Sequence, residues 1–112
     1  MTRDANSLLH GALDVLVLKT LAAGPMHGYG ITRSIEERTR HELDILDSAL
    51  YKALQRLEAA GAIGSAWGVS DNNRRAKYYS LTARGRAMLR SETATWKRFV
   101  AAVTGVLEPD EA

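Results

Sequence analysis

The stretch that decides the fold runs from Ser48 to Gly85 and reads SALYKALQRLEAAGAIGSAWGVSDNNRRAKYYSLTARG. Its first part has the apolar spacing of an amphipathic helix. A short strand, an arginine-bearing turn (DNNRRAK), a second strand (YYSLT) and the start of another helix follow. A helix followed by a hairpin with a basic tip is typical of a winged helix-turn-helix. We therefore expect a mainly α chain with one small β-hairpin.

The helix at the start of this stretch has one apolar and one polar side. Leu50, Leu54 and Leu57 form the inward stripe, with Ala53 beside them. The opposite side is polar and basic, and it consists of Ser48, Lys52, Gln55, Arg56 and Ala59. Because Asp47 or Ser48 can cap the helix through a side-chain oxygen, we expect it to begin near Ala49.

The alternation of the two strands sets the register of the hairpin. If Ile63 pairs with Leu81, the turn closes near Asn72 and leaves Asn73, Arg74 and Arg75 at or beside the tip. Among the aromatic residues of this region, we assign Tyr79 to the core, Tyr78 to the opposite face, and Trp67 to packing between strand and helix. Tyr51 either donates a hydrogen bond to a phosphate or packs at the edge of the core.

The N-terminal part predicts two more helices. The first, from Ser7 to Ala23, carries one apolar face of Leu9, Leu13, Leu16, Val17 and Leu21 and another of Leu8, Ala12, Val15 and Ala22. Since a helix that is apolar nearly all round must be covered on both sides, we expect one face to meet a second subunit. Gly24 and Pro25 end this helix, and the next spans roughly His27 to Arg40.

Thr82 is placed to cap a last helix that reaches about Val106 and is roughly 36 Å long. Its apolar residues recur at heptad spacing and exceed what a small core can cover. We expect them to pack on the same helix of a second copy, although packing within one domain is the alternative. The predicted dimer interface consists of Leu8, Ala12, Val15, Leu89, Trp96, Phe99, Val100, Val103 and Val106. Residues 1–82 are thus assigned to a winged helix-turn-helix domain and residues 83–112 to a dimerisation helix with a short tail.

The charge of the 112 residues is unevenly distributed. The formal net charge is only +2, yet the segment from Lys52 to Arg98 holds ten Lys and Arg against Glu58, Asp71 and Glu92, which gives +7 there and −5 elsewhere. This asymmetry indicates a polyanionic partner. A merely solvated basic surface is the alternative.

Several function classes find no support in the sequence. The three histidines lie on separate predicted elements, and we expect no metal site, catalytic group, cofactor or enzyme activity. The apolar stretch from Leu8 to Leu21 is too short and too charged to span a bilayer, so we expect no membrane association. With no cysteine, a reducing compartment such as the cytosol is compatible.

An ordered series of short motifs resembles the PadR family of transcriptional regulators, in its small subtype with a single C-terminal dimerisation helix. The series covers nearly the whole length. Its carrying residues are Leu13 to Leu21, Gly24-Pro25, His27-Gly28-Tyr29, Leu50-Tyr51, Ala53-Leu54, Arg56-Leu57-Glu58, Gly61, Ile63, Arg75, Lys77-Tyr78-Tyr79, Leu81-Thr82 and Gly85. The chain departs from the family pattern at Asp47-Ser48-Ala49 and at the wing tip, where Asn72-Asn73 replace glycines.

The resemblance implies a homodimeric repressor whose third helix enters the major groove of double-stranded DNA while the wing touches the flanking minor groove or backbone. Carried over by position, the DNA-facing residues are Ser48, Ala49, Tyr51, Lys52, Gln55, Arg56, Asn73, Arg74, Arg75 and Lys77. By their chemistry, the lysines and wing arginines suit phosphates, whereas Gln55 and Arg56 suit base edges.

Trp96 resembles the tryptophan that some multidrug-binding relatives place at the dimer centre, which makes a small aromatic effector a candidate partner. Interface packing without a ligand is the alternative for Trp96. For the whole chain, the alternative function is a winged-helix module that binds an acidic protein and no nucleic acid.

Overall fold

The computed structural model describes residues 9–109. The elements follow in the order α1 (Leu9–Leu21), β1 (Met26–His27), α2 (Gly28–Arg38), α3 (Asp47–Ala59), β2 (Ile63–Val69), β3 (Arg75–Leu81) and α4 (Ala83–Leu107). The strands form one antiparallel sheet in the order β1-β3-β2. The expected mainly α architecture with a hairpin and a long last helix is confirmed.

The hairpin of β2 and β3, called the wing below, has the predicted register. Ile63 pairs with Leu81, and the paired residues continue outward to Val69 and Arg75. Residues 70–74 close the turn, where the Ser70 N–H donates to the Arg74 carbonyl at 2.8 Å. Asn73 takes a left-handed conformation with φ of 57°. Asparagine tolerates that conformation better than most residues, so it serves where glycine is common.

Strand β1 was not predicted from the sequence. Met26 pairs with Tyr79 and His27 with Tyr78, so this two-residue strand exists only because β3 lies beside it. A strand this short has no periodicity to detect. His27, predicted as the first residue of a helix, instead caps α2, and its Nδ1 accepts a 3.0 Å hydrogen bond from the Gly30 N–H.

Helix α2 ends at Arg38, two residues earlier than predicted. Arg40 and His41 have φ values of 52° and 61°, which no right-handed helix accommodates. The extended segment that follows is tied back to α2, because the Ile45 N–H donates to the Glu36 carboxylate at 3.2 Å.

The predicted cap of α3 was wrong. The helix begins at Asp47, its N-cap is Leu46, and no side chain makes a capping hydrogen bond. Asp47 therefore lies within the first turn and not before it. There its negative carboxylate lies at the positive end of the helix dipole, which is a stabilising arrangement.

The core lies between α1, α2, α3 and the base of the wing. Leu50, Ala53, Leu54 and Leu57 of α3 are all buried, as predicted. In α1 the prediction was incomplete, because Leu18 is fully buried whereas Leu16 is only partly buried. Since α1 is apolar nearly all round, periodicity alone does not decide which face is covered. The expected burial of Tyr79 is confirmed.

Helix α4 starts where the sequence predicted. The Thr82 hydroxyl accepts a 3.0 Å hydrogen bond from the Gly85 N–H and donates to the Gly61 carbonyl at 2.7 Å. Gly85 lies so close to the turn after α3 that a Cβ there would overlap the Ala62 carbonyl oxygen. This contact fixes the direction in which α4 leaves the core.

The second half of α4 extends past the core, and the described chain has extents of 60 × 30 × 20 Å. Leu89 packs partly buried against the core of its own chain. The Trp96 ring lies over Gly11 of α1, where a Cβ would be 3.8 Å from Cζ2. Beyond this point Phe99, Val100, Val103, Val106 and Leu107 are exposed.

Candidate nucleic-acid interface

Helix α3 presents the polar side that the sequence predicted. Ser48, Lys52 and Gln55 are exposed and lie opposite the buried leucine stripe. Ala49 is half-buried. We call Ser48, Lys52, Gln55 and Ala59 the outer face of α3. It contains one cation, one amide and no carboxylate.

Arg56 lies on the flank of α3 that faces α1. Its guanidinium donates to the Asp14 carboxylate at 2.7 Å, with both side chains partly exposed. This hydrogen bond raises the pKa of Arg56 above its ordinary value. The carboxylate partner was not predicted, and it offsets the charge of one predicted DNA contact.

Tyr51 lies on the other flank of α3, towards the wing. Its side chain is 50% exposed, and its hydroxyl lies against Gly28 at the start of α2, where a Cβ would be 3.1 Å away. The predicted packing at the edge of the core is present, whereas the hydrogen bond to a phosphate stays a prediction. The ring packs at the edge of the domain, and one side of it remains open.

A cleft of about 900 Å³ separates the wing from the start of α2 and from Tyr51. Aromatic and cationic side chains dominate its lining, with Asp71 as the single carboxylate among the lining residues. The aromatic ones are His27, Tyr29, Tyr51, Trp67 and Tyr79, and the cationic ones are Arg33, Arg74, Arg75 and Lys77.

The wing holds its cations on the side that faces this cleft. Trp67 and Val69 of β2 share one face of the sheet with Arg75 and Lys77 of β3, because their register pairs them directly. The Ser65 hydroxyl, on the same face, donates to Glu58 of α3 at 2.8 Å and ties the wing base to that helix. Asn73 and Arg74 are exposed at the tip.

The prediction for Trp67 was wrong. Its side chain is 61% exposed and does not pack between strand and helix. It lies under Arg75 instead, with the guanidinium Cζ 4.4 Å from the ring centroid. The core ends at Tyr79, two residue pairs nearer the base of the wing, so the helices do not reach Trp67.

The predicted phosphate-binding cations carry uncompensated charge. Ion pairs join Arg33 to Glu37 and Arg56 to Asp14. Lys52, Arg74, Arg75 and Lys77 take part in neither. The surface made by the outer face of α3 and the wing is therefore electropositive.

The predicted dimer residues lie on two elements. Ala12 and Val15 of α1 are half-buried, as are Leu89 and Trp96 of α4. Trp96 contacts Phe99 edge to face, with the two ring centroids 5.7 Å apart. Phe99, Val100, Val103 and Val106 form an exposed apolar face, and Leu8 lies outside the described residues.

The part of the chain that the structure describes contains no cluster of His, Asp or Glu able to hold a metal ion. It also contains no helix with the length and apolar character needed to cross a membrane.

Residues 17–91 match the Transcriptional regulator PadR-like family. The chain belongs to this family. Protein X of Lysinibacillus sphaericus is 34% identical over 92 residues, which cover 81% of this chain and 84% of that protein.

Two solved structures share the fold over nearly the whole length. A transcriptional regulator from Clostridium thermocellum is 26% identical with a TM-score of 0.82, covering 91% of this chain and 99% of that chain. A PadR family transcriptional regulator from Eggerthella lenta is 32% identical with a TM-score of 0.75, covering 93% of this chain and 88% of that chain.

The resemblance that the sequence motifs indicated is thus confirmed. This PadR-like protein is a transcriptional regulator with a winged-helix DNA-binding fold, and that family is not an enzyme family. Two features of the site had no sequence signal: the Asp14 partner of Arg56 and the exposed Trp67. Both depend on residues that only the fold brings together.

Proposed function

We propose that this PadR-like regulator is a homodimeric repressor that binds a near-palindromic operator through α3 and the wing. The observation that carries this proposal is the coexistence of two unlike surfaces. A surface of cations that form no ion pair with any described carboxylate occupies one side of the domain, and an apolar face of α4 extends beyond its core.

On the DNA side, Lys52, Arg74, Arg75 and Lys77 neutralise backbone phosphates and supply affinity that depends on salt. Gln55, exposed at the centre of the outer face, contacts an adenine edge in the major groove. Ser48, Ala49, Tyr51 and Asn73 complete the contact surface. Arg56 contacts a guanine edge or a phosphate only after it leaves Asp14.

On the dimer side, the unit of residues 83–112 pairs with its copy through the exposed apolar residues of α4, assisted by Ala12 and Val15 of α1. The exposed fractions of Phe99 (58%), Val103 (38%) and Val106 (84%) support this assignment, because a solvated apolar stripe of that extent is unfavourable. Two copies related by a two-fold axis present their α3 helices to half-sites about one helical turn apart, a spacing of roughly 34 Å.

Release of the operator follows when a small aromatic molecule binds beside Trp96 at the dimer centre. Such a ligand changes the separation of the two α3 helices, because Trp96 contacts α1 at Gly11 and α1 packs on α3.

A gel-shift titration with the duplex upstream of the gene tests the proposal. Binding at submicromolar protein that weakens steeply between about 50 and 200 mM salt supports it. The absence of any DNA binding at low salt contradicts it and leaves a winged-helix module for an acidic protein. A footprint on the same fragment then shows whether the protected site has two-fold symmetry.

A further inference from the structure

We propose that Trp67 is a positioning residue that holds the Arg75 guanidinium ready for a DNA phosphate. The inference rests on the proposed function and adds a role for a residue that has no place in it so far. Three observations carry it: the geometry of the stack, the exposure of the indole, and the absence of a carboxylate paired with Arg75 in the described residues.

The stack is built by the strand register. Trp67 pairs directly with Lys77, so Arg75 occupies the diagonal position on the neighbouring strand and on the same face. The Arg75 Cζ lies 4.4 Å from the Trp67 ring centroid, within the range of a cation–π interaction. A long arginine side chain on a β-hairpin is otherwise free to sample many rotamers. The indole face selects one of them.

The chemistry of this contact differs from that of the two arginines that form ion pairs. Arg56 and Arg33 are restrained by Asp14 and Glu37, whose carboxylates offset their charge and occupy N–H donors. An indole restrains a guanidinium through its flat face and leaves the in-plane N–H donors and the full positive charge available. A phosphate accepts from two of those donors at once.

The position suits a nucleic acid. Trp67 and Arg75 both line the cleft between the wing and the start of α2, beside Lys77 and Arg74. Exposing 61% of a large apolar residue to water is unfavourable unless a contact covers it. Arg75 covers only one face of the indole.

Fluorescence anisotropy with a generic 30-base-pair duplex at low salt tests the proposal, because a phosphate contact requires no particular sequence. Trp67→Leu keeps an apolar side chain and removes the π face, and we expect it to weaken binding about two- to fivefold. The affinity of Trp67→Phe should lie between that of the parent and that of Trp67→Leu, because phenylalanine keeps a smaller π face. Arg75→Ala should weaken binding further and reduce the salt slope by about one.

The deciding measurement is the double variant. If Trp67 acts through Arg75, Trp67→Leu has no further effect in the Arg75→Ala protein. An equal loss in both backgrounds overturns the proposal, as does a Trp67→Leu protein that binds like the parent. Ala66→Thr, a change at an exposed residue of β2 on the opposite face of the wing, is the matched control and should bind like the parent.

A measurement without DNA separates this proposal from the proposed function. In protein labelled with 5-fluorotryptophan, the two tryptophans give two fluorine resonances, and Trp67→Phe assigns them. Arg75→Ala should shift the Trp67 resonance and leave that of Trp96 in place. A Trp67 resonance that does not move overturns the stack even if the parent protein binds DNA. A moved resonance in a protein that binds no duplex refutes the proposed function and, with it, the role of the stack.

Discussion

The Asp14 carboxylate in α1 holds the Arg56 guanidinium of α3 at 2.7 Å. This ion pair joins the helix that packs against α4 to the helix assigned to DNA. It also places a negative charge at the rim of an otherwise electropositive surface. A phosphate that approaches Arg56 must therefore compete with Asp14.

Asp14→Asn should strengthen DNA binding several-fold at low salt, because it frees the Arg56 charge and removes a carboxylate that repels phosphates. We expect the salt dependence to steepen by about one phosphate contact. The free energy of unfolding should fall by less than about 1 kcal/mol, since the two side chains, Arg56 and Asp14, are 49% and 40% exposed. Anisotropy titrations at several salt concentrations and urea unfolding measure the two effects.

Glu42→Gln is the control for Asp14→Asn, because it makes the same change in net charge at an exposed residue that forms no ion pair in the described part of the chain. Equal gains in affinity for the two variants would mean that Asp14 acts only through its long-range charge.

The wing and α3 should contribute differently to DNA binding. Arg74→Ala combined with Arg75→Ala should lower affinity for every duplex and reduce the salt slope by about 0.9 for each phosphate that is no longer neutralised. Gln55→Ala should leave the slope unchanged and relax discrimination at one base pair by about 1–3 kcal/mol. Titrations with operator and scrambled duplexes separate the two effects. An unchanged salt slope in the double arginine variant would refute the wing assignment.

Much of this fold was predictable because its signals are local. The leucine stripe of α3, the Thr82 cap and the Ile63–Leu81 register each depend on residues close in sequence or on one alternation. Strand β1 was not predictable, since its two residues are ordered by β3, which lies far along the chain. The cap of α3 was predicted wrongly because Asp47 and Ser48, which both carry capping side chains, lie within the helix and leave Leu46 at the N-cap position.

The candidate site was predictable by residue type but not by partner. Exposed cations on α3 and the wing follow from the helical face and the turn residues. Whether each cation is free depends on what lies beside it in three dimensions. Asp14 reaches Arg56 from another helix, and Trp67 reaches Arg75 only when the register of the wing is known.

Gly85→Ala should destabilise the protein by about 1–3 kcal/mol, because its Cβ would overlap the Ala62 carbonyl oxygen and force α4 away from the core. Gly105→Ala is the matched control in the same helix, where nothing lies within 4 Å of a Cβ. That change should stabilise the protein by about 0.5–1 kcal/mol through helix propensity. Thermal unfolding of both variants checks the contrast, and similar losses in both would contradict the close approach at Gly85.

Stability should fall at alkaline pH partly because of Tyr79. Burial raises the pKa of its phenol above the ordinary value of 10.0, with smaller contributions from Tyr51 and Glu58. The folded state thus binds the phenolic proton more tightly than the unfolded state does. The protonated phenol therefore contributes stability that is present below about pH 10 and is lost as the pH rises further. Tyr79→Phe should flatten the decline in melting temperature above about pH 10. Tyr29→Phe, at a side chain that is 68% exposed, should leave the decline unchanged.

The apolar face of α4 should govern the oligomeric state. Val103→Glu places a carboxylate between Phe99 and Val106 on the stripe that no other described residue covers, and an unpaired charge in an interface is strongly unfavourable. We expect this variant to be monomeric at micromolar concentration by light scattering, with an unchanged melting profile for the winged domain. Operator affinity should fall at least about tenfold, because two half-sites are no longer bound together.

Ala94→Glu adds the same charge to the opposite, exposed side of α4 and should remain dimeric. A monomeric parent protein would refute the dimer, and a Val103→Glu protein that stays dimeric would place the subunit contact elsewhere. Either result leaves the exposed stripe without its proposed partner.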